Sequence, residues 1–411
     1  MFPLKWPAVT GSVLAGVAGV VLAQAFCRRD HMELWARSGP LRFPLAVFAC
    51  CVGVGAYVSP FQDLMVPKLC GLLLGALIFR AVLLTGVTMA RLRLLTLAYV
   101  AAGTAIVLSG VFVAPSWPDK VKPLRALALK IPALVPGLPG AEAGVNANAL
   151  GGSTLFFLPL LSAIAVARVL QSRPAARHSS FAWSALAGAV YGGGAAVLVT
   201  VLLLSQSRTA WVSAVATLGL VLALQVRTTR WIRLGATAVF LGMAVALTLW
   251  LWPAPAEYPS RLNYVGGRTF TWSLAIDAIR QSPVAGVGLG AFRTVAESMQ
   301  AGSGSSVVEV ANAHNTFLQV ALDVGLPGLV AYLALLVLAT KMTFDLRRHH
   351  TRDDQSTLCV GLWASLVAVH LFGMVDAIAP GAKVGVFMWW NLGLIAALHA
   401  VSRDSIESPR A

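Results

Sequence analysis

Apolar runs of membrane-crossing length recur along almost the whole chain. A helix needs roughly 20 predominantly apolar residues to cross the hydrocarbon core. Reading for such runs gives eleven, at about 8–26, 42–58, 66–86, 93–113, 147–170, 182–204, 209–226, 232–252, 316–340, 357–375 and 384–401. The sequence therefore predicts an all-α polytopic integral membrane protein, with residues 1–411 forming one membrane domain. Composition agrees. The chain is 58% hydrophobic and 11% charged, whereas a soluble domain runs nearer 45–50% apolar and about 25% charged. That excludes a soluble enzyme, a disordered chain and a nucleic-acid-binding domain. The excess of 31 Lys+Arg over 16 Asp+Glu sits in short clusters between apolar runs, as membrane topology requires.

The first run has Lys5, an apolar stretch and the small-residue pair Ala23 and Ala25, features shared with a cleaved signal peptide. Repeated crossings follow it, so a retained helix is the simpler reading. The five cysteines (27, 50, 51, 70 and 359) are odd in number and lack metal spacing; a disulfide framework is not expected.

Lysine and arginine set the orientation. The segments 27–42, 87–93, 171–181, 226–233, 341–356 and 402–411 together hold 17, while 59–68, 205–208 and 376–383 hold one each. The first group is expected on the cytoplasmic side. Two long loops, 114–146 and 253–313, then face outward, and the larger is expected to contain short helices. Eleven crossings put the N-terminus outside, and one more brings it inside. The expectation is 11–12 transmembrane helices with a cytoplasmic C-terminus.

Polar residues that interrupt the pattern gather at the outer ends of the spans. Ser205-Gln206-Ser207-Arg208 joins two runs with almost no loop. Arg208 reads either as a headgroup anchor or as a phosphate ligand, for which its planar fork is suited. In the larger loop, Arg261 and Arg268 precede a helical pattern from Thr269 to Gln281, with Thr269 a candidate cap. Pro283 ends it, and Gly286, Gly288 and Gly290 predict a tight turn where backbone packs closely. No strand pattern precedes these glycines, so a dinucleotide site is not expected. His314 and Asn315 open the run at 316–340; histidine exchanges protons near neutral pH. Gln319 and Asp323 lie inside that run, and Gly325 and Gly328 permit close helix contact. Asp376, at the outer end of the next span, is placed to orient His314 or to hold an acceptor hydroxyl. Lys68 is a further phosphate-ligand candidate. Lys120, Lys122, Arg125 and Lys130 in the first loop suit acidic headgroups or an anionic acceptor. HExxH, DxD, CxxC and a P-loop are absent from the sequence, so no metal and no cofactor are expected.

The order of these motifs resembles the O-antigen ligase/polymerase family of bacterial envelope enzymes. The resemblance rests on Ser205 to Trp211, on Arg268 with Trp272 and the Pro283 to Gly290 stretch, and on His314-Asn315 through Gly328. Asn146-Ala147-Asn148 is similar to an Asn-x-Asn element of several members. It covers roughly residues 145–400, and the N-terminal third matches in hydropathy alone.

The resemblance implies a GT-C-like membrane glycosyltransferase of the bacterial inner membrane, with its site facing the periplasm. It implies metal-independent, inverting transfer of a glycan from an undecaprenyl pyrophosphate donor. His314 would serve or orient the acceptor, and Arg208 and Arg268 would hold the pyrophosphate. The catalytic set is thus His314, Arg268 and Arg208. Lys68, Arg261, Asn315 and Asp376 join the two arginines as substrate-binding candidates. The expected acceptor is lipid A–core oligosaccharide, which a basic first loop would suit. Membrane lipids are further partners, and nucleic acid is not. Polymerisation of O-units and transfer to protein are alternatives within the family. The second often carries extra C-terminal sequence, which the ten or so residues after 401 do not provide. A lipid-linked glycan transporter is the non-enzyme alternative. Transport predicts charges along a midplane path, whereas these gather on one face.

Overall fold

A computed structural model describes residues 37–113, 117–118, 120–131, 146–170, 181–225, 235, 238, 240, 242, 264–302, 310–349 and 354–407. The described residues are helical, and none forms a strand. The helices are α1 (Arg42–Val58), α2 (Gln62–Thr85), α3 (Met89–Val113), α4 (Lys122–Ala128), α5 (Ala147–Thr154), α6 (Leu158–Leu170), α7 (Phe181–Leu204), α8 (Arg208–Gln225), α9 (Tyr264–Gln281), α10 (Phe292–Gly302), α11 (Thr316–His349), α12 (Asp354–Phe372) and α13 (Val386–Glu407). A short 3₁₀ turn, Gly39–Leu41, leads into α1.

Among the described residues, seven helical segments are long and apolar enough to cross a membrane. The protein is a multi-pass membrane protein. The expected run at 8–26 lies outside the described residues, as does most of the run at 232–252. The run at 384–401 forms α13 but is not among the seven. Trp389, Trp390, Asn391 and His399 dilute its hydropathy. That is tolerable because Leu392, Leu394, Ile395, Ala396, Ala397 and Leu398 are buried in protein, so α13 faces neighbouring helices rather than lipid. The outer helices show the reverse: α1 and α2 expose Phe43, Val47, Val54, Leu73 and Leu74, as lipid-facing surfaces do.

Lipid tails are as apolar as leucine, so association of spans depends on close packing and on polar contacts between helices. Helix α13 packs on α2, α1 on α11, α6 on α12, α12 on α8 and α3 on α7. Gly75 of α2 lies flat against Trp389 of α13; a Cβ there would sit 2.1 Å from the indole. The polar ties are Tyr99 O–H to the Phe156 carbonyl at 3.0 Å, Asn391 Nδ2 to the Leu362 carbonyl at 3.1 Å, and Tyr332 Oη with His370 Nε2 at 2.7 Å.

Two expected spans are interrupted. The run at 147–170 breaks at residues 155–157. Pro159 has no N–H to donate to the Leu155 carbonyl, so one continuous helix would lose that bond. Helix α11 is broken at Gly325, whose φ of 75° and ψ of 175° are not helical, just before Pro327. Gly325 was expected to serve close packing alone; it also turns the chain.

Candidate active site

The first turn of α11 is tied on every side. Asn315 Oδ1 accepts from Phe317 N–H (2.9 Å) and Leu318 N–H (3.1 Å), capping the helix. Its Nδ2 donates to the Met374 carbonyl (2.9 Å), and Thr316 N–H donates to the Gly373 carbonyl (2.7 Å). Asn312 Oδ1 accepts from His314 N–H (2.8 Å), and Gln319 Oε1 accepts from Ala313 N–H (3.0 Å). Between these ties His314 adopts φ 45°. A non-glycine residue held there costs about 1–3 kcal/mol, and such strain clusters at functional sites.

The turn after α12 supplies the partner. Asp376 N–H donates to the Phe372 carbonyl at 3.0 Å, which folds Asp376 back over the helix end. His314 Nδ1 lies 3.0 Å from Asp376 Oδ1. Ala377 N–H donates to the same oxygen (2.9 Å), and Arg268 Nη2 lies 3.6 Å from Oδ2. A carboxylate so surrounded accepts, so Nδ1 carries the proton and Nε2 presents a lone pair. Burial raises the Asp376 carboxyl above its ordinary value; Arg268, the Ala377 N–H and Lys120 pull it down. The imidazole is 30% exposed, the carboxylate 14% and the guanidinium 9%. An accessible base thus stands on a buried support.

Arg268 belongs to the second turn of α9, which begins at Tyr264. The expected start with Thr269 as cap is therefore corrected: Thr269 lies inside the helix, and Arg268 gains a fixed helical backbone. Ala275 and Ala278 of α9 pack with Phe292, Ala296 and Leu322, which binds α9 and α10 to α11. Arg208 is the first residue of α8, where the helix dipole adds positive potential. Two residues earlier, Gln206 has φ 47°. His314 and Gln206 are the two non-glycine residues with positive φ among those described, and both serve this polar cluster. Gln206 is 1% exposed. Its Oε1 accepts from Lys120 N–H (2.8 Å) and Val121 N–H (2.7 Å), and its Nε2 donates to the Pro118 carbonyl (2.7 Å). Lys120 Nζ returns a bond to the Gln206 carbonyl at 3.2 Å. The Lys120 ammonium lies within electrostatic range of Arg208, Asp376 and Arg268.

A histidine held on a carboxylate, with an arginine on the other carboxylate oxygen, has the chemistry to accept a proton beside a bound anion. Residues 193–333 match the O-antigen ligase family. The matched stretch carries Arg208, Arg268 and His314, while Asp376 and Lys120 lie beyond it. The chain is also similar to the exopolysaccharide production protein ExoQ of Rhizobium meliloti (strain 1021), at 29% identity over 214 residues. That alignment covers 48% of this chain and 47% of the relative, so the chain spans about half the length of the relative it matches.

The other candidates from sequence fall elsewhere. Lys68 forms an ion pair with Asp323. Asp323 Oδ1 also accepts from Gln319 Nε2 (3.1 Å) and Gly290 N–H (3.2 Å). Lys68 is thereby held beneath the His314 turn and makes no contact with His314 or Asp376. Asn315 is next to the site but spends its side chain on the cap and on Met374. Arg261 lies outside the described residues. The glycine-rich segment is the tight strap its spacing predicts. Leu289 N–H donates to the Gly55 carbonyl (3.0 Å), Val287 N–H to the Leu322 carbonyl (2.8 Å) and Leu326 N–H to the Pro283 carbonyl (2.8 Å). Sequence reasoning missed the clamping role of Gln206. A glutamine between two serines in a loop too short to need one was its only signal.

Proposed function

We propose that this chain is a membrane glycosyltransferase that moves a glycan from a polyprenyl pyrophosphate donor to a sugar hydroxyl. The observation that carries the reading is the 3.0 Å contact of His314 Nδ1 with Asp376 Oδ1, which leaves Nε2 as a base directed away from its support. In the proposed step Nε2 takes the proton of the acceptor hydroxyl. The acceptor oxygen attacks the anomeric carbon, and the bond from that carbon to the phosphate oxygen breaks. The electron pair leaves on the pyrophosphate, and the anomeric centre inverts. Arg268 and Arg208 meet the charge that develops on the leaving group, where fixed donors in a water-poor site act most strongly. Asp376 stabilises the imidazolium. The step calls on neither a metal nor nucleotide hydrolysis.

The first reading of the acceptor is lipid A–core oligosaccharide, making the chain an O-antigen ligase of the inner membrane acting at its periplasmic face. The family description supports this, as does the bias of Lys and Arg toward the opposite loops. A second reading is polymerisation, in which the acceptor is another lipid-linked glycan; the relative named for exopolysaccharide production favours it.

Reconstituted transfer tests both. Purified protein is mixed with undecaprenyl pyrophosphate-linked glycan, with and without lipid A–core, in EDTA and without ATP. Glycan appearing on lipid A–core supports the ligase; lengthening of the donor glycan without it supports the polymerase. His314→Ala should abolish transfer, and Arg268→Ala should lower it sharply. Movement of lipid-linked glycan across a vesicle membrane, without transfer to any acceptor, would overturn the enzyme reading in favour of transport.

A further inference from the structure

We propose that Lys120, carried in by the 114–146 loop, is a third cationic ligand of the donor pyrophosphate, and that Gln206 is the residue that positions it. The inference rests on the transferase reading and adds a loop to the site that the family match at 193–333 does not reach.

The argument begins with what Gln206 does. A buried amide must satisfy its donors and its acceptor or forfeit about 1–3 kcal/mol for each group left unpaired. Gln206 places both acceptor sites of its oxygen and one amide N–H on a single short segment, Pro118 to Val121. It does so from a left-handed backbone that non-glycine residues adopt at a cost. The turn beneath is rigid. Ser205 N–H donates to the Val201 carbonyl, Trp211 Nε1 donates to the Leu202 carbonyl, and a Cβ on Gly151 of α5 would touch Ser205 Oγ. A strained, buried glutamine on a rigid turn therefore fixes one short stretch of a long loop.

That stretch delivers an ammonium. Lys120 retains solvent-exposed surface, so a ligand can reach it. It bonds to the Gln206 carbonyl, two residues before Arg208. The charged groups that act on it electrostatically are Arg208 at the start of α8, Arg268 on α9 and Asp376 after α12. Three cations thus share a neighbourhood with one carboxylate. A pyrophosphate diester carries one negative charge on each phosphate, so it offers each of these cations an anionic oxygen. Cations that sense one another electrostatically repel unless an anion joins them. Desolvation lowers the Lys120 ammonium to about 8 even though the side chain keeps solvent contact; Arg208 and Arg268 add to the fall, and Asp376 opposes it.

The clamp and the charge can be separated. Gln206 holds the loop by the backbone N–H groups of Lys120 and Val121 and the carbonyl of Pro118. Lys120→Met keeps all three, so it removes the cation without releasing the loop. Binding of undecaprenyl pyrophosphate to protein in nanodiscs is measured first, since this needs no turnover. Lys120→Met should weaken it roughly tenfold to a hundredfold, the range for one hydrogen bond to a charged group, with the thermal unfolding midpoint unchanged. Lys120→Arg should restore it. In wild type, affinity should fall as pH rises past about 8; in Lys120→Arg it should stay level, since arginine remains charged. Gln206→Ala should reproduce the Lys120→Met loss. In transfer assays the effect should fall on the donor KM and spare the acceptor KM.

Unchanged binding and donor KM in Lys120→Met would overturn the proposal while leaving the transferase reading intact. A rise confined to the acceptor KM would also overturn it, assigning Lys120 to an acceptor phosphate instead. Transfer absent in wild type, with pyrophosphate binding still dependent on Lys120, would sink the transferase reading and keep this site.

Discussion

His314 Nδ1 and Asp376 Oδ1 are 3.0 Å apart, although 62 residues separate them and they arise from different helix ends. The contact sets the tautomer of the imidazole, and Asp376 needs its charge to do so. Asp376→Asn presents either a carbonyl or an amide to Nδ1, and the amide would force the proton onto Nε2. We expect kcat to fall by about 10²–10⁴, the range associated with a positioned general base, with the donor KM little changed. Single-turnover transfer with saturating donor measures this. A variant with near wild-type kcat would remove Asp376 from the mechanism.

Arg268 sits on the other carboxylate oxygen and opposes the upward push of burial on Asp376. The raised carboxyl is neutral at low pH and gains its charge only as pH climbs through its folded value. Removing the guanidinium should move that value higher still. Arg268→Met is therefore expected to shift the acidic limb of the pH–rate profile to higher pH, besides weakening donor binding. Arg268→Lys should keep the limb closer to wild type, because the charge remains, yet bind donor less well without the planar fork. An acidic limb at the same pH in wild type and Arg268→Met would show that Arg268 does not govern Asp376.

Much of this arrangement is legible in the sequence because the membrane simplifies the reading. In a chain of apolar runs, a charged or polar residue at a helix end is conspicuous, so Arg208, Arg268, His314 and Asp376 stand out without any structure. Three things are hidden. The Gly325 break needs knowledge of what packs beside it, because glycines in spans also serve close helix contact. Lys68 and Lys120 look alike, each a lysine near a span end. Only tertiary contacts separate them, placing Lys68 on Asp323 and Lys120 on Gln206, two residues before Arg208. The central position of α13 is hidden for a similar reason: its lower hydropathy signals protein neighbours, which a search for lipid-facing runs does not weigh.

The Lys68–Asp323 pair gives a prediction of the opposite kind. Lys68 is largely buried, and Asp323 also anchors Gln319 and Gly290. Removing one partner of a buried pair costs about 3–5 kcal/mol, whereas replacing both is often close to neutral. Lys68→Met alone should lower the thermal unfolding midpoint markedly. Adding Asp323→Asn, which keeps an oxygen for the Gly290 and Gln319 donors, should recover most of the loss. The double variant should also bind donor normally, since the pair acts beneath the His314 turn. Donor binding that stays weak after stability returns would restore Lys68 to the role of phosphate ligand.

Gly325 offers the sharpest test of the strap. Its φ of 75° disfavours any side chain, and an added Cβ would lie 1.9 Å from the Val284 carbonyl oxygen. Neither atom can yield: Val284 is fixed by the neighbouring Leu326 N–H to Pro283 carbonyl bond, and Gly325 by the α11 break. Gly325→Ala must straighten α11 or push the 283–290 segment off it. Either movement pulls on Asp323, through its bond to Gly290 N–H, and from there through Gln319 to the Ala313 N–H beside His314. We expect loss of transfer together with a lowered unfolding midpoint. Gly53→Ala in α1, where an added Cβ meets nothing within 4 Å, should leave both unchanged. Transfer at the wild-type rate in Gly325→Ala would show that the strap does not hold the His314 turn in place.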